Sequence, residues 1–92
     1  MIDVRYEQER HRAAVYDGGK EIGECTFSVN DGVWTIDHTG VDGAYQGQGI
    51  ARQLVDRVAS AARQADVKLN ATCSYARNVL ERSTEYADLL AP

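Results

Sequence analysis

Gln46-Gly47-Gln48-Gly49-Ile50-Ala51-Arg52-Gln53-Leu54-Val55 is the stretch on which the reading of this chain turns. A glycine run passes there directly into a helical pattern. Ile50, Ala51, Leu54, Val55, Val58, Ala61, Ala62 and Ala65 recur on one face, and Arg52, Gln53, Asp56, Arg57, Ser60, Arg63 and Gln64 fall on the other. That period predicts an amphipathic helix from Gly49 to about Ala65. Glycine has no Cβ, so its backbone can approach a ligand closely. The first N–H groups of a helix have no intrahelical acceptor, and the helix dipole favours an anion at that end. The run therefore has the makings of a phosphate cradle. A plain helix start uses the same residues, and spacing alone does not separate the two.

Upstream, the pattern changes to period two. Ile2, Val4 and Tyr6 alternate with charged residues, residues 11–17 (His-Arg-Ala-Ala-Val-Tyr-Asp) form a second candidate strand, and Cys25, Phe27 and Val29 alternate with Glu24, Thr26 and Ser28. Val33 to Val41 reads as a fourth strand, with Trp34, Ile36 and His38 on one face. Asp17-Gly18-Gly19-Lys20 and Asn30-Asp31-Gly32 are tight turns, so neighbouring runs are antiparallel. Downstream of the helix, Val67 to Thr72 is a short fifth strand. Ser74 is placed to cap a second helix carrying Tyr75, Ala76, Val79 and Leu80 inward. Tyr86, Leu89 and Leu90 close the chain against the core. The sum is an α+β domain spanning residues 1–92, with helices packed on a mostly antiparallel sheet.

Ninety-two residues are the size of one domain with a modest core. A net charge of −4 argues against general nucleic-acid binding, which needs a basic face. No segment is long and apolar enough to span a bilayer, and no apolar signal region opens the chain, so a cytoplasmic, membrane-free setting is expected. Cys25 and Cys73 make no disulfide framework, and no His/Cys cluster has metal-ligand spacing.

Strand, glycine run, long helix, strand, short helix: in this order the chain resembles the GNAT acetyltransferase superfamily, whose Q/R-x-x-G-x-G/A motif is matched at Gln46, Gly49 and Ala51. It is similar in particular to the minimal single-domain branch, through His38-Thr39-Gly40-Val41, Gly47-Gln48-Gly49-Ile50-Ala51, Cys73-Ser74-Tyr75 and Glu85-Tyr86-Ala87-Asp88-Leu89. It departs from that branch at Gly40, at Asp42-Gly43, where a proline is usual, and at Ala71, Val79 and Ser83-Thr84. The resemblance implies a minimal GNAT-like fold with acetyl-CoA as cofactor. Gln46, Gly47, Gln48, Gly49, Ile50, Ala51 and Arg52 would hold its pyrophosphate, Thr39, Gly40 and Val41 its pantetheine arm, and Asn78 would reach it from the second helix. The implied activity is direct acetyl transfer to a small amine or a lysine-like group. A non-catalytic CoA-binding module and a phosphate-binding regulator are the competing readings, because both use the same cradle.

Three residues are candidates for the chemistry. Cys73 starts a helix, where a thiol pKa falls. It is either an acetyl acceptor, a wall beside the thioester or a buried structural cysteine. His38 is a candidate general base, and its place beside Trp34 and Ile36 equally suits a core histidine. Tyr75 is a candidate proton donor, and its helical spacing equally suits the core.

Overall fold

The computed structural model describes residues 1–91. Five strands form one sheet in chain order: β1 (Ile2–Glu7), β2 (Arg12–Asp17), β3 (Lys20–Asn30), β4 (Val33–Val41) and β5 (Lys68–Ala71). β1 to β4 are an antiparallel meander, and β5 runs parallel to β4. A parallel neighbour needs a long crossover. Helix α1 (Ile50–Ala65) supplies it, and α2 (Ser74–Arg82) follows β5. The fold is the α+β arrangement expected from the sequence.

The turns are local chemistry. Gly18 and Gly19 adopt φ of 59° and 91° between β2 and β3, which suits a two-residue hairpin. α1 ends at Asp66, whose left-handed φ of 59° turns its N–H back onto the carbonyls of Ala62 and Arg63. After a 3₁₀ turn at Thr84–Tyr86, the chain returns to β5, where Leu69 N–H donates to Leu89 O and Ala91 N–H donates to Leu69 O. The tail thus covers the free edge of β5.

One sheet face carries the apolar core. Ala13, Val15, Cys25, Phe27, Trp34, Ile36 and Leu69 pack with Leu54, Val55 and Val58 of α1 and Leu80 of α2. Leu54, Val55 and Val58 are fully buried, and each such side chain contributes about 1.5–3 kcal/mol. The other sheet face is polar. Arg12 lies buried there, and its guanidinium donates to Glu7 at 2.7 Å, Glu24 at 2.8 Å and Glu21 at 2.8 Å. The Tyr16 hydroxyl donates to the second oxygen of Glu7.

Several local expectations are corrected. The β3–β4 register shifts between Thr26 and Phe27: Thr26 pairs with His38 and Phe27 with Ile36. Asp37 is the extra residue of a β-bulge. Strict alternation would leave His38 beside Trp34 and Ile36; the bulge instead turns it to the polar face, 58% exposed. His11 is not in a strand but sits at φ 49° after the Gln8–Arg10 turn. Cys73, not Ser74, is the N-cap of α2, and no side chain caps the helix. Thr72 and Cys73 both donate their N–H to Ile36 O, which keeps the chain extended one residue further. Ala65 is exposed at the end of α1, and Val67 and Thr72 fall outside the four-residue β5.

Candidate functional site

β4 and β5 part company after the pair Ile36 and Ala71. β5 turns away into α2, while residues 37–41 of β4, still paired with β3 on one side, continue without a strand on the β5 side. Backbone groups along that edge want partners. A cavity of about 520 Å³ lies alongside. β4 contributes Thr39, Gly40 and Val41 to its wall; the following loop and α1 contribute residues 45–47 and 49–51; α2 contributes Tyr75.

The loop is held rather than loose. Asp42 donates its N–H to Ile22 O and accepts the Ala44 N–H on its side chain, which starts the 3₁₀ turn Gly43–Tyr45. The Tyr45 hydroxyl donates to Asp17 on the β2–β3 hairpin, and the terminal ammonium binds the same carboxylate. Those two bonds, the tyrosine's first, hold Asp17 below its ordinary carboxylate value.

Gly47 and Gly49 have φ of 82° and 77°, a region open to glycine. The first backbone bond of α1 runs from Gln53 N–H to Gly49 O. The amides of Ile50, Ala51 and Arg52 therefore precede any helical acceptor. The start of α1 offers a row of free donors and the positive end of the helix dipole to the cavity.

The sulfur chemistry sits at the far end of this edge. Cys73 Sγ lies 3.7 Å from Thr39 Oγ1, and Thr39 Oγ1 lies 3.5 Å from Cys25 Sγ. Burial pushes the Cys25 thiol up to about 11. At Cys73, burial acts in the same direction, but the Ala76 N–H, the Thr39 hydroxyl and the Tyr75 N–H outweigh it and bring the thiol below its ordinary value. Thr39 lowers both thiols; the helix-start amides make Cys73 the more acidic of the two, while burial dominates at Cys25.

The sequence-derived candidates divide accordingly. Thr39, Gly40, Val41, Gln46, Gly47, Gly49, Ile50, Ala51 and Tyr75 meet around the one cavity. Tyr75 is 42% exposed at its rim, contrary to the inward position its spacing suggested. Gln48 is exposed and outside the wall. Arg52 and Asn78 line an adjoining groove of about 380 Å³ between α1 and α2, together with Val79, Arg82 and Ser83. Cys73 reaches the cavity through Thr39. His38 stands on the polar face next to Gly40. Sequence reasoning missed Tyr45, Arg82 and Glu24. Arg82 had a signal, its i, i+4 spacing from Asn78; Glu24 had none, because cross-strand partners depend on register. Among the described residues no cluster is placed to hold a metal ion, and no helix is long and apolar enough to cross a membrane.

Residues 10–89 match the family model described as GCN5-related N-acetyl-transferase. A GCN5-like candidate N-acetyltransferase from Staphylococcus aureus, solved by NMR, is 28% identical, with a TM-score of 0.76 over 97% of this chain and 87% of that one. A ribosomal-protein-alanine N-acetyltransferase from Brucella melitensis biovar Abortus is 25% identical, with a TM-score of 0.58 over 82% of this chain and 64% of that one. A GCN5-related N-acetyltransferase from Sphaerobacter thermophilus shares the fold at 20% identity, with a TM-score of 0.66 over 79% of this chain and 26% of that one. The chain thus spans less than two thirds of the length of the latter two. No curated protein matches it.

Proposed function

The chain belongs to the GCN5-related N-acetyltransferase family, and on that premise we propose that it binds acetyl-CoA and transfers the acetyl group directly to the amine of a small molecule or a lysine-like side chain. One observation carries the reading: a glycine turn at positive φ and the free amides of α1 open onto the same cavity as the unpaired edge of β4. A phosphate site at one end and an extended backbone edge leading from it fit a long ligand with an anionic head and an amide-bearing arm.

The residues present fit that ligand. Amides of residues 47 and 49–52 would hold the pyrophosphate. Thr39, Gly40 and Val41 would satisfy the pantetheine amides. Arg52, Asn78 and Arg82 would face the nucleotide end from the groove between the helices. Acetyl-CoA supplies an activated acetyl thioester when bound. This chain positions it along β4, so that the reaction with an acceptor becomes effectively intramolecular. Thr39 and Cys73 line the end of the edge where β4 and β5 part. His38 would accept the acceptor's proton, directly or through one water, and Tyr75 would supply one at the cavity rim.

Calorimetry with acetyl-CoA, CoA and ADP tests the binding half. CoA binding at least tenfold tighter than ADP is expected, because only CoA uses the β4 edge. Equal affinities would leave a phosphate-binding regulator, and no binding of any of the three would refute the cradle. Mass spectrometry of an amine panel then tests transfer. Binding without acetylated product would reduce the protein to a CoA-binding module.

A further inference from the structure

We infer that Glu24 is the positioning residue for His38: its carboxylate, supplied from the neighbouring strand, fixes the imidazole over the side-chain-free surface of Gly40. The inference rests on the proposed acetyl transfer only for its catalytic consequence.

The placement follows from register. Glu24 on β3 pairs directly with Gly40 on β4, and the next pairs are Cys25 with Thr39 and Thr26 with His38. Cross-strand partners share a face, and alternate pairs share it too. Glu24, Gly40, Thr26 and His38 therefore stand together on the polar face, where the Asp37 bulge has delivered the histidine. His38 Nε2 lies 3.9 Å from Glu24 Oε2. That is ion-pair range, and one water or a small rotation closes it to a hydrogen bond.

Both ends of the pair are constrained. The other oxygen of Glu24 accepts from Arg12 at 2.8 Å, and Arg12 is itself buried and bound to Glu7 and Glu21. The glutamate is thus tied to the middle of the sheet. On the other side, a Cβ placed on Gly40 would lie 3.0 Å from His38 Nε2 and 3.2 Å from Cε1. The imidazole occupies the space that any side chain at position 40 would take. Among the described charged groups, Glu24 and the Arg12 behind it face the ring from β3 and β2. Asp37 on β4 is engaged by the Thr26 hydroxyl at 2.6 Å.

A carboxylate facing Nε2 selects the tautomer with its proton there. It leaves the lone pair on Nδ1, and it orients the ring as a carboxylate orients the histidine of a catalytic triad. In the transfer, the acceptor nitrogen would give its proton to that lone pair and form the new bond to the acetyl carbon as the carbon–sulfur bond breaks; the bonding pair would leave on sulfur as the CoA thiolate, to be protonated by Tyr75. Glu24 gains no proton. It stabilises the imidazolium that results.

Two measurements test this. Long-range ¹H–¹⁵N spectra of the neutral imidazoles, with His11 as internal control, should show His38 as the Nε2–H tautomer alone in the wild type and as a mixture of tautomers in Glu24→Ala. Glu24→Asp should restore the single form, and Glu24→Gln, which can still accept from Arg12, guards against loss of fold. Unchanged His38 spectra across these variants would overturn the pairing, whether or not the protein is an enzyme. In turnover of the best amine of the panel, Glu24→Gln should lower kcat by about 10- to 100-fold with little change in acetyl-CoA affinity, and the Glu24→Gln/His38→Ala double variant should be no slower than His38→Ala. Multiplying effects would refute action through His38. Tautomer changes across the variants as expected, with no acetylation by the wild type, would refute the proposed transfer and leave the pair intact.

Discussion

Replacing Gly49 with leucine separates binding from stability within one residue. Gly49 has φ +77°, and a Cβ there would meet nothing within 4 Å. The folded chain therefore has room for the new side chain, and the cost is backbone strain alone, roughly 1–2 kcal/mol for an L-residue in the left-handed region. In a chain of this size that lowers Tm by about 5–15 °C. The side chain stands at the mouth of the amide row that begins α1. Losing two charge-assisted hydrogen bonds there, at roughly 1.5–3 kcal/mol each, removes at least about a hundredfold of CoA affinity. Gly32→Leu is the control. Gly32 has φ +76° and equally open surroundings, but it sits at the opposite end of β4 from the cavity. The assay is a thermal melt and a CoA titration of both variants beside the wild type. Similar melting losses with binding lost only in Gly49→Leu are expected. Wild-type CoA affinity in Gly49→Leu would refute the assignment of the glycine turn as the phosphate site.

Three further outcomes follow from the polar face and the thiols. Arg12→Met should destabilise the fold by about 3 kcal/mol in urea melts, because it strands three glutamates beside a buried position. Stability should also fall in acid. Glu7 is held below its ordinary carboxylate value, first by the Tyr16 hydroxyl and then by Arg12, so its contribution is complete above the ordinary value and is lost as pH drops through the lower folded one. Tyr16→Phe should flatten that part of the melting-temperature profile. Iodoacetamide at neutral pH should alkylate Cys73 well before Cys25, read by peptide mass spectrometry, since one thiol is lowered and the other raised to about 11; equal rates would contradict the electrostatics assigned to the start of α2.

The α1 pattern from Ile50 to Ala62 and the hairpin glycines were legible because each is set by neighbours in sequence. The same holds for the glycine turn, whose positive φ at Gly47 and Gly49 is a matter of local backbone geometry. His38 was misplaced on the core side because a bulge is a disagreement between two strands, and period-two counting sees one strand at a time. For Tyr75 the sequence leaves proton donor and core residue both open, because nothing in the spacing of α2 shows that β4 and β5 part beneath its first turn. Arg12 was unremarkable in sequence: its three carboxylates come from β1 and β3, and only register brings them together. Glu24 and Gly40 became a pair for the same reason.

The sheet's spatial order repeats the order of the chain, with one exception in kind. β1 to β4 are joined by turns of a few residues, whereas β5 reaches β4 only after the whole of α1. Closing that long crossover costs more chain entropy than closing a hairpin. The cavity exists only where β4 and β5 meet and then diverge. The cavity's shape therefore rests on the strand pairing of greatest sequence separation in the sheet, Val33 with Lys68 to Ile36 with Ala71. A ligand spanning α1 and the β4 edge would bridge that junction, and by binding only the closed form it would stabilise the fold in proportion to its affinity.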